Sequence, residues 1–365
     1  MHDGVAGLLA VSAGPRISRL WLFSGPVLAL MVVAVVLYCA LPAPYVTMRP
    51  GGARSVEPLV TIKAQAGGPK VDEDPASDSL LYLTVSTSVE PPGFYVLRGW
   101  LRDDVQVEPS EPFLGTQSKA ENLAFNLALM TDSQDKARKV ALERLGYEVE
   151  SEPLGAFLED VDPSVPAAKV LAPGMTVVGA AGHTVRTRDD LVAQLETRKP
   201  GDTIELSVIP LGEEKPQTVE AELTERPGSP GQAILGVTVV DHSTFVFPVD
   251  IKIDTGRVGG PSAGLALTLA ILDRMTPDRL TGDGRVAVTG TIELDGSVGR
   301  VGGVAHKTRA AIREGATLLL VPPDEYSSAQ EVAAGRIDVE SVSNLDDALD
   351  ALVEHGGSGL PNDRN

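Results

Sequence analysis

The chain has one cysteine, Cys39, in 365 residues, which excludes an internal disulfide and a cysteine-rich zinc site. Basic residues are also scarce: 31 Lys and Arg stand against 50 Asp and Glu, a formal charge of −19. No Lys/Arg cluster offers the basic surface that phosphate backbones require, so no nucleic-acid partner is expected. A phosphate loop is missing too. Gly302-Gly303-Val304-Ala305-His306-Lys307-Thr308 is faintly like one, but no Gly directly precedes Lys307, and Gly-x-x-x-x-Gly-Lys-Ser/Thr occurs nowhere in the chain. ATP binding is therefore not expected, and no cofactor or metal is called for.

What is present is ordinary globular composition, 43% hydrophobic and 22% charged, with room for two or three domains. From Leu20 to Leu41 no side chain is charged, enough for a membrane-spanning helix. A secretory signal would have an apolar core of about 7–15 residues and a small-x-small cleavage site. Here Ala43 is followed by Pro44, a poor place to cleave. A short tail (1–19) and an uncleaved transmembrane anchor (20–43) are the expectation. Arg16 and Arg19 precede the span and Arg49 and Arg54 follow it, so charge does not set its orientation. Cys39, after the bulky Tyr38, reads as a small apolar helix residue rather than a lipid attachment site.

Residues 44–150 read as a connecting region of strands and helices. Tyr45 to Lys63 and Leu80 to Thr87 have strand character, with a polar loop from Gln65 to Asp78. Ser118-Lys119-Ala120-Glu121 fits a capping box, placing Leu123, Leu127 and Met130 on one helical face. A second helix is expected from Asp132 or Ser133 to just before Gly146. From Glu152 the order is strand, short helix, strand pair, helix, strand. A Glu/Pro/Gly-rich stretch from Glu214 to Gln232 marks a boundary. Beyond it, strands near 233–240, 246–253, 286–292, 318–321 and 338–342 mix with helices near 261–275, 303–314, 325–334 and 344–354, an α+β or mixed α/β domain.

The chemistry concentrates in that last domain. Gly259-Gly260-Pro261-Ser262-Ala263-Gly264 puts Ser262 at the start of an apolar helix, where backbone N–H groups can hold an oxyanion. A helix-capping serine after a glycine turn explains the same residues equally well. The second segment, Thr289 to Gly303, reads as a strand, an Asp-Gly turn, a returning strand and a glycine hinge into a helix carrying Lys307. A serine needs a base, and a lysine amine serves if it is neutral. Bringing a lysine from ~10.4 to near 7 costs about three to four units at roughly 1.4 kcal/mol each, which apolar burial can supply. Gly260-x-Ser262-x-Gly264 with Asp295 and His306 also satisfies the α/β-hydrolase elbow pattern, but too little chain flanks Ser262 for that fold's long sheet.

On these motifs the chain resembles the proteolytic domain of Lon-type serine peptidases, whose nucleophile lies in Pro-Ser-Ala-Gly and whose lysine ends Gly-Gly-x-x-x-Lys. The family's Thr-Gly-x-Ile segment is also present, from Thr289. The resemblance implies Ser262 as nucleophile, Lys307 as general base and Thr289 as a supporting hydroxyl. Gly259 stands where relatives often carry an acidic residue. Residues 151–226 resemble a PDZ domain of bacterial proteases, in Pro166 to Gly174, Asp189 to Leu195 and Pro200 to Leu206. That resemblance implies Leu154-Gly155-Ala156-Phe157 as the loop and strand edge that receive a peptide C-terminus. A PDZ fold that only packs against its neighbour is the other reading.

The expected architecture is thus multi-domain: a transmembrane helix, a β-rich α+β PDZ domain (151–226), a Lon-like α+β proteolytic domain (230–356) and a flexible tail (357–365). The resemblance implies a single-pass, membrane-anchored, ATP-independent serine endopeptidase with extracytoplasmic domains, acting on unfolded or exposed polypeptide segments selected by the PDZ domain. Peptidase domains of this type often form rings, so a homo-oligomer is one expectation. A non-catalytic PDZ adaptor with a peptidase-like domain at the membrane is the alternative.

Overall fold

The computed structural model describes residues 19–63, 79–115, 117–213, 215–277 and 279–361, without the side chains of 19–25 and 38. The tail before residue 19 and the loop expected from Gln65 to Asp78 lie outside the described residues. The chain enters through α1 (Arg19–Ala40). Among the described residues no helix is long and apolar enough to cross a membrane. α1 contains Pro26. Its large apolar side chains from Val27 to Leu37 are exposed.

Then come β1 (Tyr45–Ser55), β2 (Val60–Ile62), β3 (Leu80–Val89), α2 (Gly93–Trp100), β4 (Gln106–Pro109), the short α3 (Glu111–Leu114) and α4 (Lys119–Arg144). α4 is one continuous helix where two were expected. Its capping box is present, with Ser118 Oγ accepting from Glu121 N–H at 3.2 Å and Glu121 Oε2 from Ser118 N–H at 2.7 Å. Thr131-Asp132-Ser133 does not break it, because Thr131 Oγ1 bonds back to Leu127 O at 3.2 Å and Ser133 turns inward.

The middle of the chain forms a PDZ-like module from β5 (Glu150–Val161), β6 (Thr176–Ala180), β7 (His183–Thr184), α5 (Arg188–Glu196), β8 (Thr203–Ile209), β9 (Gln217–Glu222), β10 (Thr224–Arg226), β11 (Ser229–Ile234) and β12 (Val237–Val246). Its antiparallel sheet runs β12-β5-β6-β8-β9, with β7 beside β6. The core is its own, built from residues such as Leu158, Val177, Leu191, Ile204 and Leu206. β12 pairs along the whole of β5, from Val237↔Val161 to Val246↔Glu150. Residues 237–246, expected in the proteolytic domain, thus belong to this sheet.

The last third holds β13 (Ile251–Ile253), α6 (Gly264–Met275), β14 (Val286–Val288), β15 (Thr291–Ile292), β16 (Val298–Gly299), α7 (Val304–Arg313), β17 (Leu318–Val321), α8 (Pro323–Ala333), β18 (Asp338–Ser341) and α9 (Leu345–Glu354). It is completed by the segment before the PDZ-like module. The large sheet has the order β18-β17-β14-β3-β1-β4, parallel from β18 to β3 and antiparallel beyond. β13 pairs with β2. Residues 44–150 are therefore not a connector. Strand alternation explains the fit: Leu80, Tyr82, Val286, Val288, Leu318 and Leu320 face a core shared with α4 and α6. Leu81, Leu83, Ala287, Leu319 and Val321 face a second core under α7 and α8. A sheet covered on both faces needs such unbroken apolar runs. The tail expected from 357 is partly packed as well, since Leu360 is buried in the first core and Ser358 N–H donates to Arg279 O at 3.1 Å.

Leu80, Leu81, Tyr82 and Leu83 are at most 3% exposed. At about 1.5–3 kcal/mol per buried side chain, their burial is comparable with the 5–15 kcal/mol of a whole domain. A fragment of residues 230–356, which lacks β3 beside β14, is expected to show no cooperative thermal transition by circular dichroism. A chain starting at Pro42 should keep one. A sharp transition in the short fragment would contradict the sheet order.

Candidate active site

Ser262 sits in the turn that enters α6 and is partly exposed. Two neighbours hold that turn. On the α4 side, Gly260 N–H donates to Asn126 O at 2.7 Å and Ser133 Oγ donates to Pro261 O at 3.0 Å. On the other side, Gly290 N–H donates to Ser262 O at 3.1 Å and Leu265 N–H to Gly290 O at 3.1 Å. The glycines make this possible. Gly260 has φ 87°, and a Cβ on Gly264 would lie 2.8 Å from Ser133 Oγ and 2.9 Å from Ile292 N. Gly264 N–H is engaged by Pro261 O at 3.1 Å. Among the described residues no acceptor takes the N–H of Ser262 or Ala263, which leaves both for an oxyanion.

Lys307 projects from α7, whose start is set by Gly303 at φ 67°. A Cβ there would come within 2.7 Å of Val85 Cγ2, so α7 can lie this close to β3 only with glycine. Lys307 is 3% exposed and forms no ion pair among the described residues. Its Nζ donates to Thr289 Oγ1 at 3.0 Å, and Thr289 Oγ1 donates to Ser262 O at 3.3 Å. Because the threonine has one proton and spends it on the carbonyl, it must accept from the amine. A neutral amine so held keeps its lone pair free. Burial among apolar groups pushes the Lys307 pKa down to about 7, against a weaker opposing pull from Glu325. Glu325 is itself faced by Arg300, Nε to Oε1 3.5 Å.

Ser262 and Lys307 line one cavity of about 860 Å³. Its walls come from the Gly259–Ala263 turn, the Gly302-Gly303 hinge, β1 from Met48 to Gly52 and β3 from Tyr82 to Thr87. Thr289 is fully buried behind the pair. His306 and Asp295, the partners a hydrolase elbow would need, do not line this cavity. Asp295 sits in the β15–β16 turn, accepting from Ser297 Oγ at 2.7 Å and Ser297 N–H at 2.9 Å.

Sequence reasoning missed Asn126 and Ser133. Neither is near Ser262 in the chain, and Ser133 reads locally as a helix start. It also missed Lys136, whose Nζ reaches Glu293 Oε2 at 2.8 Å and Asp132 Oδ2 at 3.1 Å, tying α4 to the segment after Thr289.

The expected peptide loop is a correction. Leu154-Gly155-Ala156-Phe157 lie inside β5, paired with β12 on one side (Phe157↔Val240, Ala156↔Asp241) and with β6 on the other (Ala156↔Val177). The edge is already used. Gly155 is needed because a Cβ would lie 2.4 Å from Val177 O, and Phe157 stacks on Phe125 of α4 at 6.3 Å. The end strands of this sheet are β12 and β9, and β12 is the one beside β5.

Residues 240–355 match the model of the Lon protease (S16) C-terminal proteolytic domain. The match is confined to the C-terminal part of the chain. Lon protease 2 of Borreliella burgdorferi is 36% identical over 26% of this chain and 12% of its own length. The Lon proteases of Rickettsia typhi and Clostridioides difficile are 35% and 34% identical over 30% of this chain and 14% of theirs. This chain thus spans only a small part of these relatives. The PDZ domain of an SdrC-like protein from Listeria monocytogenes aligns at 24% identity with a TM-score of 0.22, covering 24% of this chain and 88% of that one. The PDZ-like description rests instead on the module's own strand and helix order. The matched segment begins within β12, so the Lon-type domain draws β1, β3, β4 and α4 from outside the match.

Lys307 titrates near 7 in the fold and at 10.5 as a free amine. Between these values the unfolded chain binds a proton that the folded chain does not, so stability rises with pH, by roughly 1.4 kcal/mol per pH unit at most. Urea unfolding from pH 7 to 9.5 should show this slope, and Lys307→Met should flatten it. Equal slopes would mean that Lys307 is not desolvated. Gly264→Ala is expected to cost about 1–3 kcal/mol by overpacking and to lower Tm by several degrees in calorimetry. An unchanged Tm would refute the close approach of α6 to Ser133.

Proposed function

We propose that the chain is a membrane-anchored serine endopeptidase that cleaves unfolded or exposed polypeptide segments without ATP. One observation carries the reading: a buried lysine amine with a pKa near 7, fixed by Thr289, opens into the same cavity as Ser262. Neutral Lys307 takes the proton of the Ser262 hydroxyl as Oγ attacks the scissile carbonyl carbon. The carbonyl oxygen becomes an oxyanion, held by the N–H groups of Ser262 and Ala263. The C–N bond then breaks and the Lys307 ammonium protonates the leaving amine, leaving an ester on Oγ. A water gives its proton to Lys307 and attacks the ester, and Oγ departs and recovers that proton.

The sequence has no Gly-x-x-x-x-Gly-Lys-Ser/Thr, which supports action without a motor and hence on chain that is already unfolded. The uncharged run from Leu20 to Leu41 supports an anchor, and the resemblance to anchored bacterial PDZ peptidases supports an extracytoplasmic body. Selection by the PDZ-like module would use the end strand β12, next to α5, for β-strand addition. Arg188 N–H at the start of α5 donates to Asp241 Oδ1 of β12 at 2.6 Å, which holds helix and strand together.

Ser262→Ala and Lys307→Ala should each lower cleavage of an unfolded test protein at pH 8 by at least about 100-fold, with unchanged circular dichroism. Lys307→Arg should be equally inactive, since a guanidinium keeps its proton. The wild-type rate should climb through pH 7. Full activity in Lys307→Arg would remove the lysine from the role of base.

A further inference from the structure

α2 is a short helix with an unusual outer face. Phe94, Tyr95 and Trp100 are 52%, 55% and 56% exposed and Leu101 follows at 87%, in a chain with 4% aromatic residues. This is not a loose helix. Val96 and Gly99 are buried beneath it, and a Cβ on Gly99 would meet Val107 Cγ2 at 2.7 Å, so α2 is seated tightly on its neighbours. Trp100 packs edge-on against Tyr45 at 5.7 Å. The start of α2 is tied to the chain leaving α1: Gly93 N–H donates to Leu41 O at 3.0 Å and Ala43 N–H to Pro91 O at 2.9 Å.

Beside this face lies a cavity of about 570 Å³ lined by Arg49, Arg98, Arg102 and Arg313, with Tyr95 shared between face and cavity; Arg49 donates to Ser86 Oγ at 3.2 Å, and Arg313 donates to Gly51 O and faces Glu314 at 3.9 Å. Four guanidinium groups in one place run against a net charge of −19. One carboxylate, Asp104, lines the cavity, and Arg102 holds it with two bonds of 2.7 and 2.8 Å. Arg98 has no carboxylate partner among the described residues. Planar forks around an open volume suit a phosphodiester, and Trp and Tyr favour the boundary between headgroups and acyl chains.

We infer that α2 and the arginine cavity form a docking site for an anionic phospholipid surface, with the aromatic face at the acyl boundary and a headgroup phosphate among the arginines. This rests on the anchor half of the proposed function, since the apolar helix α1 ends where α2 begins. An apolar protein partner fits less well, because covering this face would desolvate the unpaired Arg98.

The chain has two tryptophans, Trp21 in α1 and Trp100, which separate the two readings. The full chain is placed in nanodiscs of phosphatidylcholine alone or with phosphatidylglycerol, each with brominated acyl chains. Trp21→Phe then reports Trp100, and Trp100→Phe reports Trp21. Trp100 should be quenched at least about two-fold more with phosphatidylglycerol, and Arg98→Glu should abolish that difference while Trp21 quenching stays the same. Trp21 quenched with Trp100 silent overturns this inference and leaves the anchor standing. Neither quenched removes the anchor and the inference together. The same Trp100 response to inorganic phosphate in phosphatidylcholine discs, or crosslinking of two copies through α2, also overturns the lipid assignment.

Discussion

A lysine amine can accept a proton only while it is neutral, and in water at neutral pH it is not. The fold keeps water away from Lys307, which is 3% exposed. The amine lies under β3 at the start of α7, and the helix reaches that depth because Gly303 has no side chain to collide with Val85. Glu325, the one acid whose charge acts on it, is diverted towards Arg300. Thr289 then converts a buried amine into an oriented one. By accepting one N–H and donating to Ser262 O, its hydroxyl ties the Lys307 amine to the Ser262 backbone. A shift in either segment moves both partners together.

That arrangement depends on chain far from the motifs. β3 lies between β14 and β1, so the strand that leads to Thr289 is supported by residues that precede the PDZ-like module. α4 supplies Asn126 and Ser133 to the nucleophile turn, Lys136 to Glu293, and Phe125 to Phe157 of the module. One helix thus touches the Gly259–Ala263 turn, the segment after Thr289 and the PDZ-like sheet. Lys136 is held charged despite its burial, because Asp132 and Glu293 outweigh the loss of water. α4 thus meets the module through the Phe125–Phe157 stack and the Ser262 turn through Asn126 and Ser133.

The local chemistry was legible in the sequence because it is local: Gly303 before a helix, Ser118 with Glu121, and an Asp-Gly turn between β15 and β16 are each decided within a few residues. Pairing over long separations was not. Leu80 to Leu83 announces a buried strand, yet nothing in it says that its partner is Val286 to Val288. The same limit explains the misplaced peptide loop. A glycine before an apolar run fits a ligand-receiving loop and also fits a strand pressed against a neighbour, and only the 2.4 Å approach to Val177 O distinguishes them. Two helices were expected in α4 because Asp132 and Ser133 are good caps, but Ser133 spends its hydroxyl on Pro261 instead.

β1 links the two ends of the proposed mechanism. It starts at Tyr45, just beyond α1, and its residues Met48 to Gly52 line the cavity shared by Ser262 and Lys307. At about 3.4 Å per residue the cavity wall, from Met48, begins roughly 10 Å along the strand from Tyr45. Arg49 and Pro50 border both this cavity and the arginine cavity under α2. On the anchored reading, Ser262 then faces chain within a few nanometres of the lipid surface. On the proposed function, a site held at that height and working without ATP would favour juxtamembrane segments and exposed tails over folded domains.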